Sequence, residues 1–130
     1  MRPVYFLSDF GLEDPYVARH ARMMDEIRAR DGKLPTMQKM PLQVWRFGTD
    51  LTLVTLGGEV VVDYALRLRR DFPGDHVWPV GYANDVFGYV PSRRVLDEGG
   101  YEGGGALLYY GRPGPFDATE LYGELSLGGE

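Results

Sequence analysis

LTLVTLGGEVVVDYALRLRRDFPGDHVWPVGYANDVFGYVPSRRVLDEGGYEGGGALLYY, residues 51–110, decides how this chain folds. It opens on an apolar β-branched run, Leu51 to Leu56, of strand length and composition. Gly57-Gly58 then turns the chain into Val60–Arg70, where Val61, Tyr64, Ala65 and Leu68 share one side of a helical projection. Asp63, Arg67 and Arg70 take the other side. That spacing predicts a helix against the β-branched preference of Val60-Val61-Val62. Phe72-Pro73-Gly74-Asp75 stops it, His76 to Ala83 reads as the next strand, and Ser92 caps a short helix ending at Gly99-Gly100. Ala106 to Tyr110 reads as a final short strand.

Upstream of this stretch, Gln43–Phe47 and Leu51–Leu56 flank Gly48-Thr49-Asp50 and predict a hairpin, which makes the sheet mixed. Tyr16 to Arg30 repeats apolar Tyr16, Ala18, Met23, Met24 and Ile27 at helical intervals. Asp14 as N-cap and Pro15 at the first helical position open it, and Asp31-Gly32 closes it. Lys33 to Pro41 is a connector, and Pro3 to Leu7 reads as a further short strand. The expected class is α/β: a mixed sheet of about four to five strands, two longer helices and one short one, in a chain whose length suits one domain or part of one. Residues 1–12 stand apart as an N-terminal strand and turn, 13–115 as the main body, and 116–130 as an irregular, Gly-rich tail.

Composition narrows the classes of function. The chain has 130 residues, 44% of them apolar and 25% charged, which is ordinary for a globular domain. Its net charge of −5, with no basic stripe, argues against a nucleic-acid surface. Cysteine is absent, so disulfides and thiolate metal sites are excluded. The apolar run at Pro3–Leu7 is too short for a secretory core, and no run approaches the ~20 residues of a spanning helix.

Candidate chemistry gathers where the predicted strands end, the edge at which open α/β sheets bind ligands. Glu59 follows a Gly-Gly turn at the entrance of the predicted helix, where a carboxylate either meets a ligand or simply stabilises the first turn. Asn84, Asp85 and Tyr89 follow one strand end, and Tyr101-Glu102 follows Gly99-Gly100. The plainer alternatives are turn formation by Asn84 and Asp85 and half-buried packing by the tyrosines. His20 and His76 lie in no zinc-ligand spacing, and read as solvated and edge residues. The pairs Arg69-Arg70 and Arg93-Arg94 read as solvated helix ends, or as contacts for an anionic headgroup.

From Asp14-Pro15-Tyr16 through DGKLP, LQVWRFGTDLTLVTLGGE and GYANDVFGYVPSRRVLDEGGYEGG, fading after Pro115, the chain resembles the neutral/alkaline ceramidase family. The matching part is the end of that family's catalytic domain. The resemblance implies a zinc-dependent amidase that cleaves the N-acyl bond of ceramide or a related lipid amide. It implies that Glu59, in Gly57-Gly58-Glu59, and Tyr89, in GYANDVFGY, are zinc ligands. It further implies that Tyr101, in Tyr101-Glu102-Gly103, polarises the scissile carbonyl. The family's two histidine ligands have no counterpart in His20 or His76, and Pro91-Ser92 replaces the usual threonines. The expectation is therefore a half-site, inactive alone and completed by an upstream segment or across a homodimer, with an apolar face where sheet neighbours belong. A non-catalytic binding module on the same fold is the alternative. A shorter resemblance, YFLSDFGLEDPYV at residues 5–17, is to the S-adenosylmethionine hydrolase (adenosyl-forming) family, and would place Asp9 and Asp14 near an adenosyl ligand.

Overall fold

A computed structural model describes residues 15–73 and 76–116. The first helix, α1 (Pro15–Asp31), starts at the proline, as that residue's fixed φ favours. Met24 is its buried residue, with Val17, His20, Met23 and Ile27 half-buried; Tyr16 and Ala18 are exposed. The amide of Gly32 donates to the Arg28 carbonyl and closes the last turn. The predicted N-cap, Asp14, and the predicted strand at Pro3–Leu7 lie outside the described residues.

The predicted hairpin forms from β1 (Leu42–Phe47) and β2 (Leu51–Leu56), antiparallel with Leu42 opposite Leu56 and Phe47 opposite Leu51. After the Gly57-Gly58 turn come β3 (Glu59–Val60) and the second long helix, α2 (Val62–Asp71). The chain then returns as β4 (Val77–Val80), parallel to β2 with Thr52 opposite Val77. The order β1-β2-β4 makes a three-stranded mixed sheet. Its inner face packs on α2: Val54, Leu56, Leu68 and Val77 form the buried centre, with Met40, Val44, Val60, Tyr64 and Phe72 around them. Strand alternation puts Val54 and Leu56 on one face, and α2 supplies its apolar stripe to that face.

The remaining elements form a second layer of short pieces. β5 (Tyr89–Val90) pairs in parallel with β3, a separate two-stranded sheet in which Glu59 is opposite Tyr89 and Val60 opposite Val90. The short helix α3 (Arg93–Glu98) begins at Ser92, whose hydroxyl accepts from the Val95 amide. Ser92 also donates to the Asp63 carboxylate, and Arg94 grips the same carboxylate at 2.8 Å, so α2 and α3 are clasped through Asp63.

The fold class is α/β, as the periodicities indicate, with three corrections in detail. Val60 and Val61 leave the predicted helix: Val60 joins β3, and α2 starts at Val62, so the β-branched preference wins where a strand partner is available. The strand predicted over His76–Ala83 is shorter, because Tyr82 and Asn84 adopt positive φ (59° and 66°) and bend the chain out of the sheet. Ala106–Tyr110 is not a strand. Gly105–Leu108 is a 3-10 helix that buries the consecutive residues Ala106 and Leu107, a pattern that a strand with only one covered face cannot make.

Candidate functional site

The site is built where β2 ends. Gly58 has φ 72°, and a Cβ there would stand 2.7 Å from Val90 Cγ2 and 2.9 Å from the Gly88 carbonyl oxygen. Only glycine lets the chain pass this close to β5 while turning. The Gly58 amide donates to the Asp85 carbonyl at 2.7 Å, and the Glu59 amide donates to the Gly88 carbonyl at 2.8 Å. These bonds register Glu59 against Tyr89.

Glu59 is the centre of a phenol cluster. Its Oε1 accepts from the hydroxyl of Tyr110, and its Oε2 accepts from the hydroxyl of Tyr82 at 2.8 Å. Tyr89 stands directly opposite Glu59 across the β3–β5 pair. The bond from Tyr110, helped by that from Tyr82 and by the neighbouring Tyr89 phenol, holds the Glu59 carboxyl below the usual range despite the opposing effect of burial. The same bonds act in reverse on the phenols. Hydrogen bonding to Glu59, then burial, then the carboxylate's charge push Tyr89 and Tyr110 each up to about 12; Tyr82 is raised for the same reasons. At neutral pH the cluster is thus one carboxylate ringed by protonated phenols.

Tyr101 joins the cluster through its ring. The Tyr89 and Tyr101 centroids are 5.6 Å apart and nearly perpendicular, an edge-to-face contact. The row continues to Tyr109 at 6.1 Å, and from Tyr109 to Tyr16 of α1 at 5.5 Å. Gly103 permits the tight turn that presents Tyr101, because a Cβ there would lie 2.4 Å from the Gly99 carbonyl oxygen. Tyr101 is 56% exposed, so the residue can be reached from solvent.

The three residues singled out in the sequence, Glu59, Tyr89 and Tyr101, therefore stand together. The helix-entrance reading of Glu59 is corrected: it sits in β3, and the acidic residue of the first turn of α2 is Asp63. Asn84 and Asp85 serve the turn, Asn84 with positive φ and Asp85 through its backbone. His20 is not solvated; its Nε2 lies 2.6 Å from the Arg112 carbonyl oxygen, so α1 is tied to the segment after the 3-10 helix. His76 is exposed at the start of β4, the opposite end of the sheet from Glu59. Asp9 and Asp14 lie outside the described residues.

Tyr82 and Tyr110 were not legible as site residues. Tyr82 closes a strand and Tyr110 ends the run misread as a strand, and only the convergence of both on Glu59 distinguishes them. The resemblance names Glu59 and Tyr89 as zinc donors, and both would bind through oxygen. The neighbouring oxygens are phenols, and among the described residues no group of three His, Cys, Asp or Glu side chains is placed to hold a metal ion. Among the described residues, no helix is long and apolar enough to cross a membrane. The chain matches no known family profile, and no solved structure matches it.

Proposed function

We propose that this chain provides the carboxylate-and-phenol half of a zinc-dependent amidase site of the ceramidase type, acting on an N-acyl lipid amide. The observation that carries the reading is the register Glu59 opposite Tyr89, with the Tyr101 ring against Tyr89. Residues far apart in sequence and proposed for one reaction lie side by side. Glu59 and Tyr89 would hold the metal, which when bound lowers the pKa of a coordinated water and polarises a carbonyl. Tyr82 and Tyr110 orient the Glu59 carboxylate by donating to both of its oxygens. Tyr101, an exposed residue with its ring against Tyr89, would donate a hydrogen bond to the amide oxygen as negative charge develops there. The rings of Tyr101 and Tyr109 extend the site toward α1 and offer apolar surface to an acyl chain.

The test is a thermal melt of the whole chain with zinc and with chelator, beside a Glu59→Ala, Tyr89→Phe double variant. Zinc at a hundredfold excess over its Kd stabilises a binding fold by about 2.7 kcal/mol, a rise in Tm that the double variant loses. Release of fatty acid from an N-acyl sphingoid substrate by the chain alone would refute the half-site. A cooperative melt indifferent to zinc favours the second reading, a non-catalytic binding module. That reading has its own support: both Glu59 oxygens are already occupied by phenols, so the network is closed without a metal.

A further inference from the structure

We propose that the outer face of the three-stranded sheet is a self-association surface, on which a second copy of this chain packs face to face. Alternation puts Val54, Leu56 and Val77 inward, and so puts Gln43, Trp45, Phe47, Leu53, Trp78 and Val80 outward, together with Leu51 and Thr55. Four of these side chains are strongly exposed: Trp45 52%, Phe47 55%, Trp78 64% and Val80 39%. A strand pair running in parallel, as β2 and β4 do, is ordinarily covered on both faces. Here α2 covers one.

Three features select a second copy as the occupant. The first is shape. Trp45, Leu53 and Trp78 are directly opposite one another across β1, β2 and β4, a single row reading large, small, large. At ~4.8 Å per strand the Cα atoms of the two tryptophans stand about 10 Å apart with the smaller Leu53 between them. A two-fold axis beside such a row sets a Trp of each copy over the Leu53 of the other, the self-complementary arrangement of an isologous dimer.

The second is charge. None of the eight outward side chains is Asp, Glu, Lys or Arg, whereas the whole chain carries −5. Two copies repel across most of their surface but meet here without burying a charge, and a partner that recognises by charge finds nothing to pair with. The third is area. Half-exposed aromatic side chains of 150–250 Å² each, with the aliphatic neighbours, offer on the order of 500 Å² per copy. A two-fold pair therefore buries about 1,000 Å², the lower limit for a specific interface. The expected dimer is weak and reversible.

The chain has two tryptophans, Trp45 and Trp78, and both lie on this face, so intrinsic fluorescence reports on it directly. The experiment is sedimentation velocity over a concentration series, with Trp emission recorded on the same samples. Wild type, Trp45→Gln, Trp78→Gln and, as a control on the far side of the sheet, Leu66→Ser are compared, with circular dichroism to verify folding. The expected result is a monomer–dimer equilibrium whose emission shifts to shorter wavelength as dimer forms. Either Trp variant weakens it at least about tenfold while Leu66→Ser leaves it unchanged. Three results would overturn the proposal. One is a wild-type monomer at about 1 mM, an association worth less than about 4 kcal/mol. Another is a dimer that both Trp variants leave intact. The third is a dilute monomer whose tryptophans already emit as buried indoles, which would mean that the chain covers this face itself.

Discussion

Glu59 is held by the hydroxyls of Tyr82 and Tyr110 with the Tyr89 phenol beside it, and each of these contacts favours the carboxylate and the neutral phenol at once. The linkage has two arms. A depressed carboxyl pKa contributes stability that is present above the ordinary glutamate range and lost as pH falls through the depressed value. The phenols at about 12 contribute stability present below ~10 and lost as pH rises from there toward 12. Melting temperature against pH should therefore show a plateau with an acid and an alkaline shoulder. In Glu59→Gln both shoulders shrink. Ultraviolet titration of the same variant should return Tyr89 and Tyr110 from about 12 toward ~10, and an unchanged titration curve would contradict the assigned bonding. At this scale the sequence was partly readable. Glu59, Tyr89 and Tyr101 follow strand ends or Gly-Gly turns visible in the sequence, whereas Tyr82 and Tyr110 bear no local signal and become partners only through long-range contact.

Among the elements, the β2-to-β3 turn tolerates little change. Gly58→Ala meets both an unfavourable φ and backbone at 2.9 Å, and should destabilise by about 2–4 kcal/mol, read by chemical denaturation. Leu68→Ala removes the main α2 side chain from the centre of the core and should cost about 2–5 kcal/mol by the same measurement. Ser92→Ala loses the α3 cap and its bond to Asp63, and should cost about 1 kcal/mol. Hairpin and helices could be read from periodicity because each repeats its signal over six residues or more. β3 and β5 are two residues each, too short for any period, and exist because Glu59 and Val60 find Tyr89 and Val90 beside them. The 3-10 helix escaped for a related reason: the ALLYY run has strand composition, but preceding glycines and the burial of adjacent Ala106 and Leu107 set its shape.

For the molecule as a whole, one layer of helix covers one face of the sheet, and the site stands at the end of the central strand. Sequence by itself determined the α/β class, the β1–β2 hairpin and the extent of α1, since each follows from a repeated apolar spacing and the residues that interrupt it. It also drew attention to Glu59, Tyr89 and Tyr101, but not to Tyr82 or Tyr110. Tertiary structure alone decided that β3 and β5 pair, that Tyr82 and Tyr110 close on Glu59, and that Trp45, Leu53 and Trp78 form one outward row. The physical reason is range. Periodicity and capping act within a turn or a strand, whereas register and convergence are set by contacts between segments separated by tens of residues, and those contacts have no local trace.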